Sequence, residues 1–225
     1  WNRYQDCGAP FFAMSQVGLL YPVNLLFAVL DREPALLASA LVNLSIAGAG
    51  TFLLGRRLGL HPLPALCAAL AFQLGWVATW LASWSPIHIA ALAWLPVALW
   101  RTEVLLRRPS VRAAIALAAA LALAHLPGFY QTGFYIYQLI ALRVAWACLV
   151  QRCEQPRRLL ALALGGLLAP FLLDAVQVLP ALAGESGAES DRAAVGPVVI
   201  FREIEALRGA ERAGNVGEDG SGLSM

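Results

Sequence analysis

The sequence predicts an all-α fold: a polytopic bundle of about six transmembrane helices, with an extracytoplasmic loop segment at its N-terminus. Three observations carry that expectation. The 225-residue chain is 60% hydrophobic and 13% charged, with mean hydropathy +0.67, against about 25% charged and roughly 45–50% apolar in soluble domains. Its apolar residues fall in runs near the ~20 residues that cross a hydrocarbon core of ~30 Å. Its sixteen basic residues, all arginine, cluster in alternate turns between those runs. A soluble domain of this length could not hide so much apolar surface, and lipid removes the need to.

Residues 1–33 read as an outer segment ending in the apolar stretch Val23–Leu30, a short interfacial helix too short to cross. The first span lies near 34–55, because Ala35 to Gly55 is uncharged for 21 residues and stops at Arg56-Arg57. Leu58 to Trp100 is uncharged for 43 residues, too long for one helix. Ser83-Trp84-Ser85-Pro86 divides it into spans near 63–81 and 87–105. From Ala113 the apolar character continues to Val150, and a single helix there would measure ~57 Å. Pro127 and the residue before it resist helix continuation, so this run splits into spans near 112–126 and 129–150. The first of these is short enough that a re-entrant or tilted segment is an alternative. The last span lies near 158–182, completing a membrane domain over 34–183. Residues 184–225 form a partly disordered outer tail. Val198–Leu207 has the spacing of a short interfacial helix, and the end is polar.

Charge sets the parity. With six spans, the turns at 56–62, 101–112 and 151–158 share one side. They and their helix ends carry Arg56, Arg57, Arg101, Arg107, Arg108, Arg112, Arg143, Arg152, Arg157 and Arg158. The other side has Arg3 and Arg32 before the tail and no charge in the turns at 82–87 and 126–129. The positive-inside rule makes the arginine side cytoplasmic and leaves both visible ends outside. Residues 1–183 hold twelve arginines against six acids, and the tail four against eight. The net charge of +2 therefore hides the asymmetry. Trp1 in place of Met gives the expectation of a fragment. Four cysteines, at 7, 67, 148 and 153, have neither a C-x-x-C pair nor a His at ligand spacing. They read as small apolar residues, with no disulfide frame and no metal site.

The outer side collects the unusual side chains, among them Gln16, Tyr21, Asn24, Trp84, His88, His125, Tyr130, Gln131, Asp174 and Gln177. Interfacial anchoring is the commoner role for tryptophans placed like Trp80 and Trp84, and a hydrated structural role the commoner one for His88 and His125, with a functional role left open for each. Asp174 stands ~12 Å below the outer end of its span. Intramembrane carboxylates are costly and tend to face a cavity or partner. Gln177 shares its helix face at i+3. A functional carboxylate and one reaching outer water through a local defect both remain open. Arg143, near the inner end, is expected to snorkel to the cytoplasm.

Trp1-Asn2-Arg3-Tyr4, Gly8-Ala9-Pro10, Gln16-Val17-Gly18 and Tyr21-Pro22-Val23-Asn24 follow one another in an order that resembles the YfhO family of bacterial membrane proteins. Ala93-Trp94-Leu95-Pro96, Gly128-Phe129-Tyr130-Gln131, Gln177-Val178-Leu179-Pro180 and Ser190-Asp191-Arg192 continue the likeness, which spans about 1–192. Arg3 stands where the family has Pro, and Phe129-Tyr130 where it often has His-Pro.

The resemblance implies a GT-C-like fold in the bacterial cytoplasmic membrane, with the active site on the extracytoplasmic face. It further implies transfer of a sugar from a polyprenyl-phosphate carrier to a glycan or other cell-envelope acceptor. Inverting transfer needs a carboxylate base and donors for the leaving phosphate. Asp174 is the catalytic candidate, although the family's base would lie upstream of Trp1. Gln16, Tyr21, Asn24, His88, Tyr130, Gln131 and Gln177 are the sugar-binding candidates, and Arg192 the phosphate candidate. The cofactor is left open, since a divalent metal is compatible with this chemistry but unmarked. The expected partners are the bilayer, the lipid-linked donor and the acceptor, and no nucleic acid. The rival readings are a transporter or flippase of lipid-linked sugars and a non-catalytic membrane scaffold.

Overall fold

The computed structural model describes residues 18, 20–150, 156–172 and 175. Residues 1–181 form one compact unit, to which every described residue belongs, and 182–225 a second. The described residues are helical, without strands. A 3-10 turn at Pro22–Leu25 leads into the single-turn helix α1, Leu26–Val29, so the short apolar stretch is helical but brief, as its length dictates.

Helix α2, Arg32–Arg57, starts two residues before the expected boundary. Asp31 precedes it and Glu33 lies in its first turn, where a carboxylate complements the helix dipole; Arg56 and Arg57 do the same at its end. Its packing face is a stripe at every fourth residue: Ala35, Ser39, Asn43, Ala47, Thr51 and Gly55. All but Thr51 are buried. Such small residues let helices approach closely where lipid supplies no hydrophobic drive. At Gly50 a side chain would meet Val97 Cγ2 at 2.7 Å, and at Gly55 the Ala65 Cβ at 3.2 Å. These contacts seat α2 against α3 (Pro62–Gln73) and α6 (Trp94–Arg107).

The second and third apolar runs occupy Pro62–Trp84 and Pro86–Arg107, but each carries a discontinuity within it. In the first, α3 stops at Gln73, and α4 (Trp76–Trp84) begins after Gly75, whose backbone is extended. In the second, α5 (Pro86–Leu92) passes to α6 through Ala93. Pro96 has no N–H to return to Leu92, which accounts for the notch one turn earlier. Helix α7 (Val111–His125) is capped by Ser110, whose Oγ accepts from Ala113 N at 3.3 Å. It is closed by Pro127-Gly128, with Gly128 at φ +88°. Its 15 residues give ~22 Å of helix, short of a full crossing, so the tilted or re-entrant geometry stays open. Helix α8 runs Tyr130–Leu149, and residues 156–172 are again helical, here termed α9.

Alanine-rich α7 lies inside the core, with Leu117 and Leu121 fully buried among α6, α8 and α9. The outward faces are apolar: Leu37 and Leu41 on α2, Trp76 and Trp80 on α4, Leu142 and Trp146 on α8, and Leu164 and Leu168 on α9 are all exposed. A water-soluble protein does not present such a surface around its whole girth. Among the described residues, four helical segments are long and apolar enough to cross a membrane: Arg32–Arg57, Pro62–Trp84, Pro86–Arg107 and Tyr130–Leu149. The chain thus fits a multi-pass membrane protein. The sixth expected span is described only over 156–172 and at 175.

Arg143 departs from expectation. In place of a run outward to water, its Nε donates to Glu103 Oε1 at 2.5 Å, joining α8 to α6. The Glu103 side chain is 8% exposed and that of Arg143 26%. A buried carboxylate demands a counter-charge, and Arg143 is within reach.

Candidate functional site

Where α2 begins, α4 meets α5 and α7 meets α8, the segment Gly18–Asn24 folds back against the bundle. Gly18 adopts φ +55°, and a Cβ there would stand 2.9 Å from the Pro127 carbonyl oxygen, so only glycine brings the two loops together. The Gly18 carbonyl accepts from Asn24 Nδ2 at 2.7 Å and from Tyr21 N at 3.1 Å. Asn24 is thus a brace for the turn.

That turn drives Tyr21 into the bundle, where it is 1% exposed. Its hydroxyl donates to Asn43 Oδ1 at 2.5 Å and accepts from Trp94 Nε1 at 3.1 Å. Asn43 Nδ2 in turn donates to the Ser39 carbonyl at 2.9 Å. Burial pushes the Tyr21 phenol up to about 12, with the Trp94 N–H opposing the rise. Asn43 lies on the order of 16 Å along α2 from its start, so this polar cluster is recessed below the loops.

A ladder of rings joins the α4–α5 turn to the α7–α8 turn. Trp80 and Trp84 stack at 5.2 Å between centroids, Trp84 and His88 lie 6.2 Å apart, and His88 meets Phe129 at 3.6 Å. Ser85 Oγ is hydrogen-bonded to His88 Nδ1. His88 therefore joins the α4–α5 turn to the α7–α8 turn. His125, 6% exposed, stacks on Tyr137 at 5.0 Å and meets the edge of Tyr130 at 6.3 Å. Gly133 makes room for that imidazole, since a side chain there would run into the ring.

Of the sequence-selected residues, Tyr21, Asn24, His88 and Tyr130 are drawn into this end of the fold. Gln131 is exposed and donates to the Tyr135 hydroxyl at 3.1 Å on its own helix, so it stands outside the buried cluster. Gln16, Asp174, Gln177 and Arg192 lie outside the described residues. Three residues central to the geometry were missed as site candidates: Ser39, Asn43 and Trp94. The signal for the first two was available, since Ser39 and Asn43 are polar residues one turn apart inside an uncharged run.

Among the described residues, the acids near this end are Asp31 and Glu33, both exposed, and no group of three His, Cys, Asp or Glu side chains could hold a metal. Among the described residues this end offers the exposed ring faces of Trp80 and Trp84, which suit the apolar face of a polyol or sugar, whereas Tyr21 and Asn43 are buried and bonded within the bundle; no recessed carboxylate is there to take a proton. Compared with family models, curated proteins and solved structures, the chain matches none.

Proposed function

We propose that the chain is part of a polytopic membrane glycosyltransferase of GT-C-like, six-span design, moving a sugar from a polyprenyl-phosphate carrier to a cell-envelope acceptor at the extracytoplasmic face. One observation supports this reading above the rest: Trp80, Trp84, His88 and Phe129, from turns distant in sequence, form a chain of ring contacts in which Trp80 and Trp84 are exposed and His88 is bonded to Ser85. Ring faces beside directed polar groups are the usual means of holding a sugar, which has an apolar face and a hydroxyl rim. In this reading Asp174 takes the acceptor proton or assists the residue that does, Gln177 and Gln16 extend the polar lining, and Arg192 meets the departing phosphate.

The test is transfer of labelled sugar from a polyprenyl-phosphate donor by the protein in proteoliposomes. Trp84→Ala and His88→Ala should raise KM for the donor with little change in stability. Asp174→Asn should lower kcat. Movement of intact donor between leaflets without transfer would replace this reading with the flippase, and indifference to all three variants would move the site elsewhere.

A further inference from the structure

The interior breaks of Pro62–Trp84 and Pro86–Arg107 differ in kind. At Ala93 covalent chemistry imposes the notch, because Pro96 lacks the N–H that the Leu92 carbonyl would receive. Between α3 and α4 nothing imposes it. No proline occurs from Ala65 to Ser85, so every residue there carries the N–H that an unbroken helix needs.

The break leaves backbone hydrogen bonds unmade. Helix α3 makes its last bond from Leu74 N to the Leu70 carbonyl at 2.8 Å, and α4 begins with Thr79 N on the Gly75 carbonyl at 3.1 Å. Among the described residues, the Gly75 N–H, which a helix would aim at Ala71, has no backbone acceptor. Its ψ of 151° turns the chain, and a Cβ there would stand 2.6 Å from the Ala71 carbonyl oxygen. The bend is thus open to glycine alone, whereas a straight helix suits alanine better. Gly75 lies near the middle of a 23-residue apolar span, where an unpaired amide costs more than it does in water.

The two arms are held unequally. Below the break, Ala65 and Ala69 are buried, Ala65 packs on Gly55, and the Gln73 side chain lies over Gly48. Above it, α4 buries Ala78 alone and exposes Trp76, Val77, Trp80 and Trp84. Helix α3 is therefore the fixed arm and α4 the free one. What keeps α4 on its bent course lies at its far end, where Trp84 meets the His88 ring at 6.2 Å and Ser85 leads into α5.

We propose that Pro62–Trp84 is a two-state element. In one state it bends at Gly75 and Trp84 stands against His88. In the other, Gly75 N donates to the Ala71 carbonyl, α3 and α4 fuse into one helix, and the ring ladder parts between Trp84 and His88. Backbone pairing favours the straight state and the ring contacts favour the bent one. A ligand seated across the ladder selects the bent state, because it meets the full set of rings only there. The bend then gates the sugar site, a consequence that rests on the function proposed above; the bend itself does not.

The experiment uses the full chain in lipid nanodiscs, free of cysteine except for Ser83→Cys on α4 and one reference, Leu37→Cys on α2 or Leu139→Cys on α8, all at exposed positions. Spin-label distances are read by pulsed electron paramagnetic resonance. Ser83 stands ~12 Å along the helix from Gly75, so removing a sharp kink of ~20° moves it about 4 Å. The chain with Gly75 intact should give two populations separated by about that much from at least one reference. Gly75→Ala should enrich the straight population about fivefold or more, since alanine is the better helix former by about that factor and its Cβ also bars the bend. Gly165→Ala on α9 adds a methyl where nothing lies within 4 Å and should leave the proportions unchanged. A single population at both references in the Gly75 chain overturns the proposal, whether or not Gly75→Ala folds. So does a Gly75→Ala distribution equal to that of the Gly75 chain, or one that Gly165→Ala reproduces. Absence of sugar transfer beside two populations overturns the sugar-site reading and its gate, and leaves the two-state helix standing.

Discussion

The Tyr21 hydroxyl donates to Asn43 Oδ1 at 2.5 Å, tying the N-terminal segment to the middle of α2. The same oxygen accepts from Trp94 Nε1 at 3.1 Å, so one phenol holds the N-terminal segment, α2 and α6 together. Its removal tests how far the recessed cluster depends on that segment.

Tyr21→Phe keeps the ring and leaves both Asn43 Oδ1 and Trp94 Nε1 short of a partner. Stranding a buried polar group costs about 1–3 kcal/mol, and thermal unfolding in detergent should show a loss of that size. Asn24→Ala should cost less, because Asn24 is only part-buried. A Tyr21→Phe variant as stable as the parent would show that the cluster does not hold the segment.

The raised phenol also predicts an alkaline limb. The unfolded chain deprotonates near 10 and the folded state near 12, so the unfolded state binds fewer protons between those values and stability falls as pH rises. The contribution is complete below pH 10 and lost above about pH 12. The difference between parent and Tyr21→Phe, followed by denaturation from pH 9 upward, should shrink over that window. Taking the difference cancels the other tyrosines.

Glu103 and Arg143 should behave as a unit. Arg143→Met strands a buried carboxylate, with a loss toward the lower end of the roughly 3–5 kcal/mol seen for broken buried pairs, because Arg143 keeps 26% exposure. The double variant Glu103→Gln/Arg143→Met should lose less than the two single variants added together. A double-mutant cycle measures that difference, and strict additivity would rule the pair out as an energetic partnership.

Gly133→Ala places a methyl against the His125 ring. Overpacking of this kind costs about 1–3 kcal/mol. His125→Ser in the same chain should recover most of the loss by removing the ring. If Gly133→Ala alone is harmless, α8 and His125 are free to part.

The side assignment can be read by labelling. In a cysteine-free background, His61→Cys and Ser83→Cys place thiols at exposed positions at the two ends of Pro62–Trp84. A membrane-impermeant maleimide applied to intact cells should label the second and spare the first. The reverse pattern would put the arginine turns outside and remove the basis for an extracytoplasmic sugar site.

Much of the helical layout was legible in the sequence because its causes are local. The length of an uncharged run, Arg56-Arg57 closing α2, Ser85-Pro86 opening α5 and Pro127-Gly128 ending α7 each act through backbone geometry or desolvation within a few residues. The interior discontinuities were harder to see, since Gly75 and Pro96 sit inside runs whose hydropathy never changes. The candidate site was half legible: Tyr21, Asn24 and His88 stood out by type, whereas Asn43, a polar residue within an apolar run, gave a signal without naming its partner.

Only the tertiary structure decided the pairings. Tyr21 with Trp94 spans 73 residues, Glu103 with Arg143 spans 40, and Gly18 meets Pro127 through a backbone contact. No periodicity encodes such partners. A polar group buried in an apolar bundle must find a complement wherever helix packing brings one within reach. That is why the sequence alone could send Arg143 toward water and the folded chain turns it onto Glu103.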